Sequence, residues 1–156
     1  MPLVRILVDG YSLLHSWPEL ARGKARHSSA ARTALINVLR QYGDAISTPV
    51  TVVFDGAGPA AHAAHEAPST PEMEIIYSRS GQTADDIIER VTARLVAYGE
   101  VLVISNDFAE RDTVAAVGGS CSSCEHFIRT IESTLAEFGR ALERHNRAER
   151  NRFKTG

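Results

Sequence analysis

Leu3-Val4-Arg5-Ile6-Leu7-Val8-Asp9 is an apolar, β-branched run that stops at an acid. The form returns twice. Val50-Thr51-Val52-Val53-Phe54 stops at Asp55, and Val101-Leu102-Val103-Ile104 reaches Asp107 after Ser105-Asn106. Runs of this kind, separated by helical stretches, read as parallel strands. Parallel strands of one sheet end on the same edge, so acids far apart in sequence converge there. A fourth acid, Asp85, lies in Thr83-Ala84-Asp85-Asp86, where a helical pattern begins. Like charges a few ångströms apart need a counter-charge. Hard carboxylate oxygens suit Mg²⁺ or Mn²⁺.

Between the strands the apolar spacing is helical. Leu35, Val38, Leu39 and Tyr42 mark a helix from Ala30 to about Gly43, with Ser29 as its cap. Ile87, Ile88, Val91 and Leu95 mark another from Ala84 to about Tyr98, capped by Thr83 and ended by Gly99. Tyr11 to His15 opens a helix or short turn. Met73 to Tyr77 is a short strand, Ala109 to Val117 a helix, and Cys121-Ser122 an edge strand. Ser123 caps a last helix from about Cys124 to Arg152. This alternation predicts an α/β fold, a Rossmann-like three-layer α/β/α sandwich with a mainly parallel sheet. Its working crevice is expected outside the carboxyl ends of the strands.

Composition narrows the classes. The 156 residues are 44% hydrophobic and 23% charged with a net charge of −2, ordinary values for one globular domain. The charge is uneven. Residues 140–156 hold six Lys or Arg against two Glu, a net of +4, which leaves the first 139 at −6. The chain thus divides into a body, 1–139, and a basic C-terminal helix end, 140–156. No apolar run is long enough to span a membrane, and the N-terminus lacks a signal-peptide pattern, so a cytoplasmic protein with no membrane partner is expected. Cys121 and Cys124 form a single Cys-x-x-Cys, read as incidental small residues rather than a redox or zinc site. No Gly-x-Ser-x-Gly elbow, Walker A or Gly-x-Gly-x-x-Gly sequence occurs.

Four signatures follow in order: Leu7-Val8-Asp9-Gly10-Tyr11-Ser12-Leu13-Leu14-His15, Val53-Phe54-Asp55-Gly56, Gly81-Gln82-Thr83-Ala84-Asp85-Asp86-Ile87-Ile88-Glu89, and Ile104-Ser105-Asn106-Asp107 with Glu110-Arg111 after it. Together they resemble the YacP-like family, in the NYN branch of the PIN-like nucleases. The resemblance spans roughly residues 3–130. It implies metal-dependent endoribonuclease chemistry, acting on mRNA or ribosome-associated RNA. It also implies Asp9, Asp85 and Asp107 as metal-binding carboxylates, with Asp55 supporting and Glu89, one turn after Asp85, in or behind the metal shell. The family pattern reads Asp-Gly-Tyr-Asn, whereas Ser12 stands here in place of Asn.

Further residues fall beside this edge. Ser12, Ser105 and Asn106 are candidates to position water or phosphate. Tyr11 and Trp17 could stack an unpaired base, which suits single-stranded RNA. Arg22, Lys24, Arg26 and His27, with Arg79, could hold phosphates. His15, His62 and His65 read as structural or exposed, and Asp86 as a first-turn acid suited to the helix dipole. The basic helix end could meet RNA or an acidic ribosomal surface. Two functional readings remain: an endoribonuclease, or a weakly active or inactive RNA-binding, ribosome-associated module favoured by Ser12. A small-molecule phosphatase shares the metal logic but lacks the Asp-x-Asp pair.

Overall fold

A computed structural model describes residues 2–25, 27–56 and 69–155, with side chains up to residue 152. The elements run β1 (Leu3–Asp9), α1 (Gly10–His15), α2 (Ser29–Ile46), β2 (Val50–Phe54), β3 (Met73–Tyr77), α3 (Ala84–Leu95), β4 (Glu100–Ile104), α4 (Phe108–Ala116), β5 (Ser120–Ser122) and α5 (Cys124–Thr155). The sheet order is β3-β2-β1-β4-β5, and every pairing is parallel. The three-layer α/β/α sandwich expected from the sequence is what forms. Arg26, His62 and His65 lie outside the described residues, as does the Lys154 side chain. Among the described residues no helix is long and apolar enough to cross a membrane.

The pleat of β1 divides the core. Side chains alternate across a strand. Ile6 and Val8 join Leu13, Leu35, Leu39, Phe127 and Ile131 from α1, α2 and α5. Leu7 joins Ala84, Ile88 and Val114 from α3 and α4, with Val53 and Val103 from the neighbouring strands. Asp9 has the parity of Leu7, so it leaves the strand on the side of α3 and α4. The chain steps outward from β1 to β2 and β3, then returns to the other side of β1 for β4. Strand order therefore reverses between β1 and β4, and a crevice opens at such a switch point.

Local chemistry moves several boundaries. The cap of α2 is Ser28, not Ser29: its Oγ accepts from the Ala31 N–H at 3.1 Å. The helix continues past Gly43 and ends at Ser47, in the left-handed region. Helix α3 stops at Leu95, before the expected Tyr98. Gly99 is not its terminator. A Cβ there would sit 2.6 Å from the Pro2 carbonyl oxygen, so glycine lets the entry to β4 pack against the start of β1. Residues 140–155 are the second half of α5, continuous with its packed first half. Trp17 is buried in the core with α1 and α2, so its ring packs rather than faces solvent.

Gly10 explains the Asp-Gly pair at the end of β1. A Cβ on Gly10 would lie 2.4 Å from the Phe54 ring. With no side chain there, α1 turns directly off the strand and packs on Phe54. Gly10→Ala is expected to cost about 1–3 kcal/mol through overpacking. Urea unfolding checks this, and adding Phe54→Leu should recover part of the loss.

Candidate metal centre

Three carboxylates meet at the switch point. Asp9 is the last residue of β1, Asp85 lies in the first turn of α3, and Glu110 lies in the first turn of α4. One carboxylate oxygen from each lies within 4.8 Å of the others. Each is held by local structure. Asp9 caps α1, its Oδ1 accepting from the Ser12 N–H at 3.4 Å. Asp85 is set by a reciprocal cap: Thr83 Oγ1 accepts from the Asp86 N–H, and Asp86 Oδ2 accepts from the Thr83 N–H. Glu110 is only 4% exposed, and its Oε2 accepts from the buried Ser105 hydroxyl at 2.7 Å.

The other Glu110 oxygen is the informative atom. Oε1 is buried with no hydrogen-bond partner among the described residues. A carboxylate facing other carboxylates has no donor to meet; only a proton or a cation between them relieves the contact. Burial chiefly, opposed by the Ser105 hydroxyl, and then the Asp9 and Asp85 charges push the Glu110 carboxyl up to about 8. Burial also raises Asp9, against hydrogen bonds from the Ser12 hydroxyl and N–H, with Asp85 and Asp55 adding to the rise. An all-oxygen donor set with one orphaned, buried member fits a hard divalent cation.

The remaining expected residues divide. Asp55 directly follows β2, accepts from Ser78 Oγ at 2.8 Å, and shares a cleft of about 450 Å³ with Asp9, Tyr11, Ser12, His27 and Asp85. Asp107 is not in the three-carboxylate group; it caps α4, its Oδ1 accepting from the Ala109 and Glu110 N–H groups at 2.9 and 3.5 Å. Glu89 is likewise outside the group and lines an adjoining cavity with Asp85 and Glu110. Asn106 joins elements: its amide donates to Ser16 and Glu125 and accepts from the Cys124 N–H at 2.8 Å. Tyr11 lines the cleft with its ring 4.2 Å from that of His27, and its hydroxyl accepts from Arg32 at 3.1 Å. Arg79 lines a separate cavity beyond Asp55, while Arg22 and Lys24 are exposed in the turns before α2. His15 is exposed at the end of α1.

Glu110 is the residue that sequence reasoning left unassigned. Its position three after Asp107 marks an ordinary first-turn acid. Its burial, and the serine that holds it, appear only in three dimensions.

Comparison with known proteins agrees with this architecture. The family described as YacP-like NYN domain matches residues 6–155. YacP of Bacillus subtilis (strain 168) is 28% identical over 132 residues, covering 82% of this chain and 75% of that one. The crystal structure of Rae1 (YacP) from Bacillus subtilis is 26% identical with a TM-score of 0.74, covering 92% of this chain and 81% of that one. A second crystal structure, of a point mutant of the same protein, is 25% identical with a TM-score of 0.72, covering 90% and 81%.

The cluster makes a signed prediction for the metal-free protein. Glu110 has its folded value raised from 4.5 to about 8, so the folded state holds a proton that the unfolded chain releases. Stability from this group is present below about pH 4.5, falls as pH rises and is lost by about pH 8. Thermal unfolding of Glu110→Gln should lack that decline and exceed the parent at pH 8. Millimolar Mn²⁺ should raise the parent's melting temperature at pH 8, and the gain should shrink in Asp85→Asn.

Proposed function

The chain belongs to the YacP-like NYN family, and on that premise we propose that it is a Mg²⁺- or Mn²⁺-dependent endoribonuclease working in the cytoplasm. The observation that carries the reading is Glu110, whose carboxylate meets those of Asp9 and Asp85 within 4.8 Å and keeps one buried oxygen without a hydrogen-bond partner among the described residues. Asp9, Asp85 and Glu110 would hold the metal. A metal held there would lower the pKa of a water and offset the negative charge that phosphodiester cleavage builds.

The chain's own residues do the rest. Ser105 fixes one Glu110 oxygen, and the other is buried without a hydrogen-bond partner among the described residues. Asp107 holds the first turn of α4, and with it the Glu110 backbone. Ser12 orients Asp9 through its backbone N–H. Asp55 stands across the cleft, steadied by Ser78. The Tyr11–His27 ring pair gives that cleft one aromatic wall, suited to an unpaired base of mRNA or ribosome-associated RNA. A second reading, an RNA-binding module with little turnover, is favoured by Ser12, whose side chain is shorter than the family's Asn and is engaged with Asp9.

Purified protein incubated with unstructured RNA and Mn²⁺ separates the two. The parent should cut, EDTA should stop it, and Asp85→Asn and Glu110→Gln should each lose about 100-fold, equivalent to about 3 kcal/mol of transition-state stabilisation. Asp107→Asn should keep most activity, because Asn caps a helix as well as Asp does. A loss as large as that of Asp85→Asn would put Asp107 back among the metal ligands. If RNA binds uncut and Ser12→Asn creates cleavage, the module reading holds for the natural chain.

A further inference from the structure

Helix α5 is longer than the body needs. Its start is pinned beside the site, where the Asn106 side chain accepts from the Cys124 N–H and donates to Glu125. Cys124, Phe127, Ile128 and Ile131 are then buried against the sheet. From Ala136 to Arg152 every side chain is exposed except that of Glu149, which is half-buried. At about 1.5 Å per residue, residues 136–155 form a rod of about 30 Å whose near end lies about 18 Å along the axis from Cys124.

The rod has two unlike sides. Arg140, Arg144, Arg147 and Arg150 are spaced four, three and three residues apart, so they share one side. Arg140 makes an exposed 3.7 Å contact with Glu137, of a kind worth little. Arg144, Arg147 and Arg150 have no ion pair among the described residues. Phe138 and Leu142, 53% and 51% exposed, lie on the opposite side. That apolar side does not continue: the next positions in its spacing are His145 and Glu149. A coiled-coil seam with a second copy of the chain would end after two residues. The basic row runs the length of the arm.

We propose that the second half of α5 is an RNA-backbone arm, binding substrate phosphates about 24–39 Å along the helix axis from Cys124. This rests on the reading of RNA as substrate. Guanidiniums in a row match a polyanion, because each forks onto phosphate oxygens and releases counterions. The body needs such a device. The first 139 residues carry −6, and the cleft itself is lined with acids that repel RNA until metal is bound. The distance fixes what the arm can do. It retains long RNA and leaves the chemistry of a short oligonucleotide untouched.

The test is the full chain with Arg140, Arg144, Arg147 and Arg150 all changed to Gln, its fold checked by circular dichroism. Affinity for a long unstructured RNA is measured by anisotropy in EDTA across a salt series. Cleavage of a short oligonucleotide is measured separately in Mn²⁺. The variant should bind the long RNA at least about 10-fold more weakly, and its log–log salt slope should fall by about 2–3. Its short-substrate turnover should equal the parent's. Unchanged long-RNA affinity overturns the proposal, as does an equal loss on the short substrate. A parent dimer split by Phe138→Ser with Leu142→Ser, with RNA affinity intact in the arginine variant, overturns it in favour of self-association. If neither protein cuts but the binding difference remains, the arm stands and the nuclease reading fails.

Discussion

Glu110 is a carboxylate removed from water and aimed at two others. Burial and like charge act in the same direction on it, and only the Ser105 hydroxyl acts against them. Such a contact persists only when the surrounding structure over-determines the position of every member. Here β1 places Asp9, the first turn of α3 places Asp85, and the first turn of α4 places Glu110. All three are rigid elements joined through one core, formed by Leu7, Val53, Val103, Ala84, Ile88 and Val114. The repulsion is stored at the switch point, where a divalent cation would relieve it.

The acids at the strand ends also do ordinary work. Asp9 caps α1, Asp107 caps α4, and Asp86 closes the box that starts α3. Capping a helix and joining the carboxylate cluster are not rivals here. A cap fixes the backbone at the start of a helix, and the neighbouring residues of that turn then have defined directions. Asp9 serves both ends at once: its Oδ1 meets the Ser12 N–H while the carboxylate contributes to the cluster. Asp107 works one step removed, by fixing the turn that presents Glu110.

Charge is organised on a larger scale by the same separation. The acidic cluster lies where β1 and β4 end, and the basic row lies on the part of α5 that leads away from that edge. The long helix begins at the Asn106 junction, so a single hydrogen-bonded corner ties the acidic site to the basic arm. Mixed within one surface patch, these charges would neutralise one another locally. Separated along a rod, each keeps its field over roughly a Debye length.

How much of this was legible before folding follows from the range of each interaction. Local patterns carried the fold: β-branched runs, helical spacing and caps at Thr83 and Ser123 name the elements because their causes lie within a few residues. The resemblance carried by Asp9-Gly10, Asp55-Gly56, Thr83-Ala84-Asp85 and Asp107 pointed to the strand-end edge where Asp9, Asp85 and Glu110 meet. The sequence could not separate Asp107 from Glu110. Both are acids of one helical turn, and which points inward depends on the twist of α4 against β1 and on Ser105 behind it. Nor could it place Asn106, whose partners Ser16 and Glu125 are distant in the chain. The sequence alone determined the three-layer architecture and the family, and pointed to acids gathered at one edge of the sheet. Tertiary structure alone decided which carboxylates meet, because burial and approach within a few ångströms belong to elements packed together rather than to residues in a row.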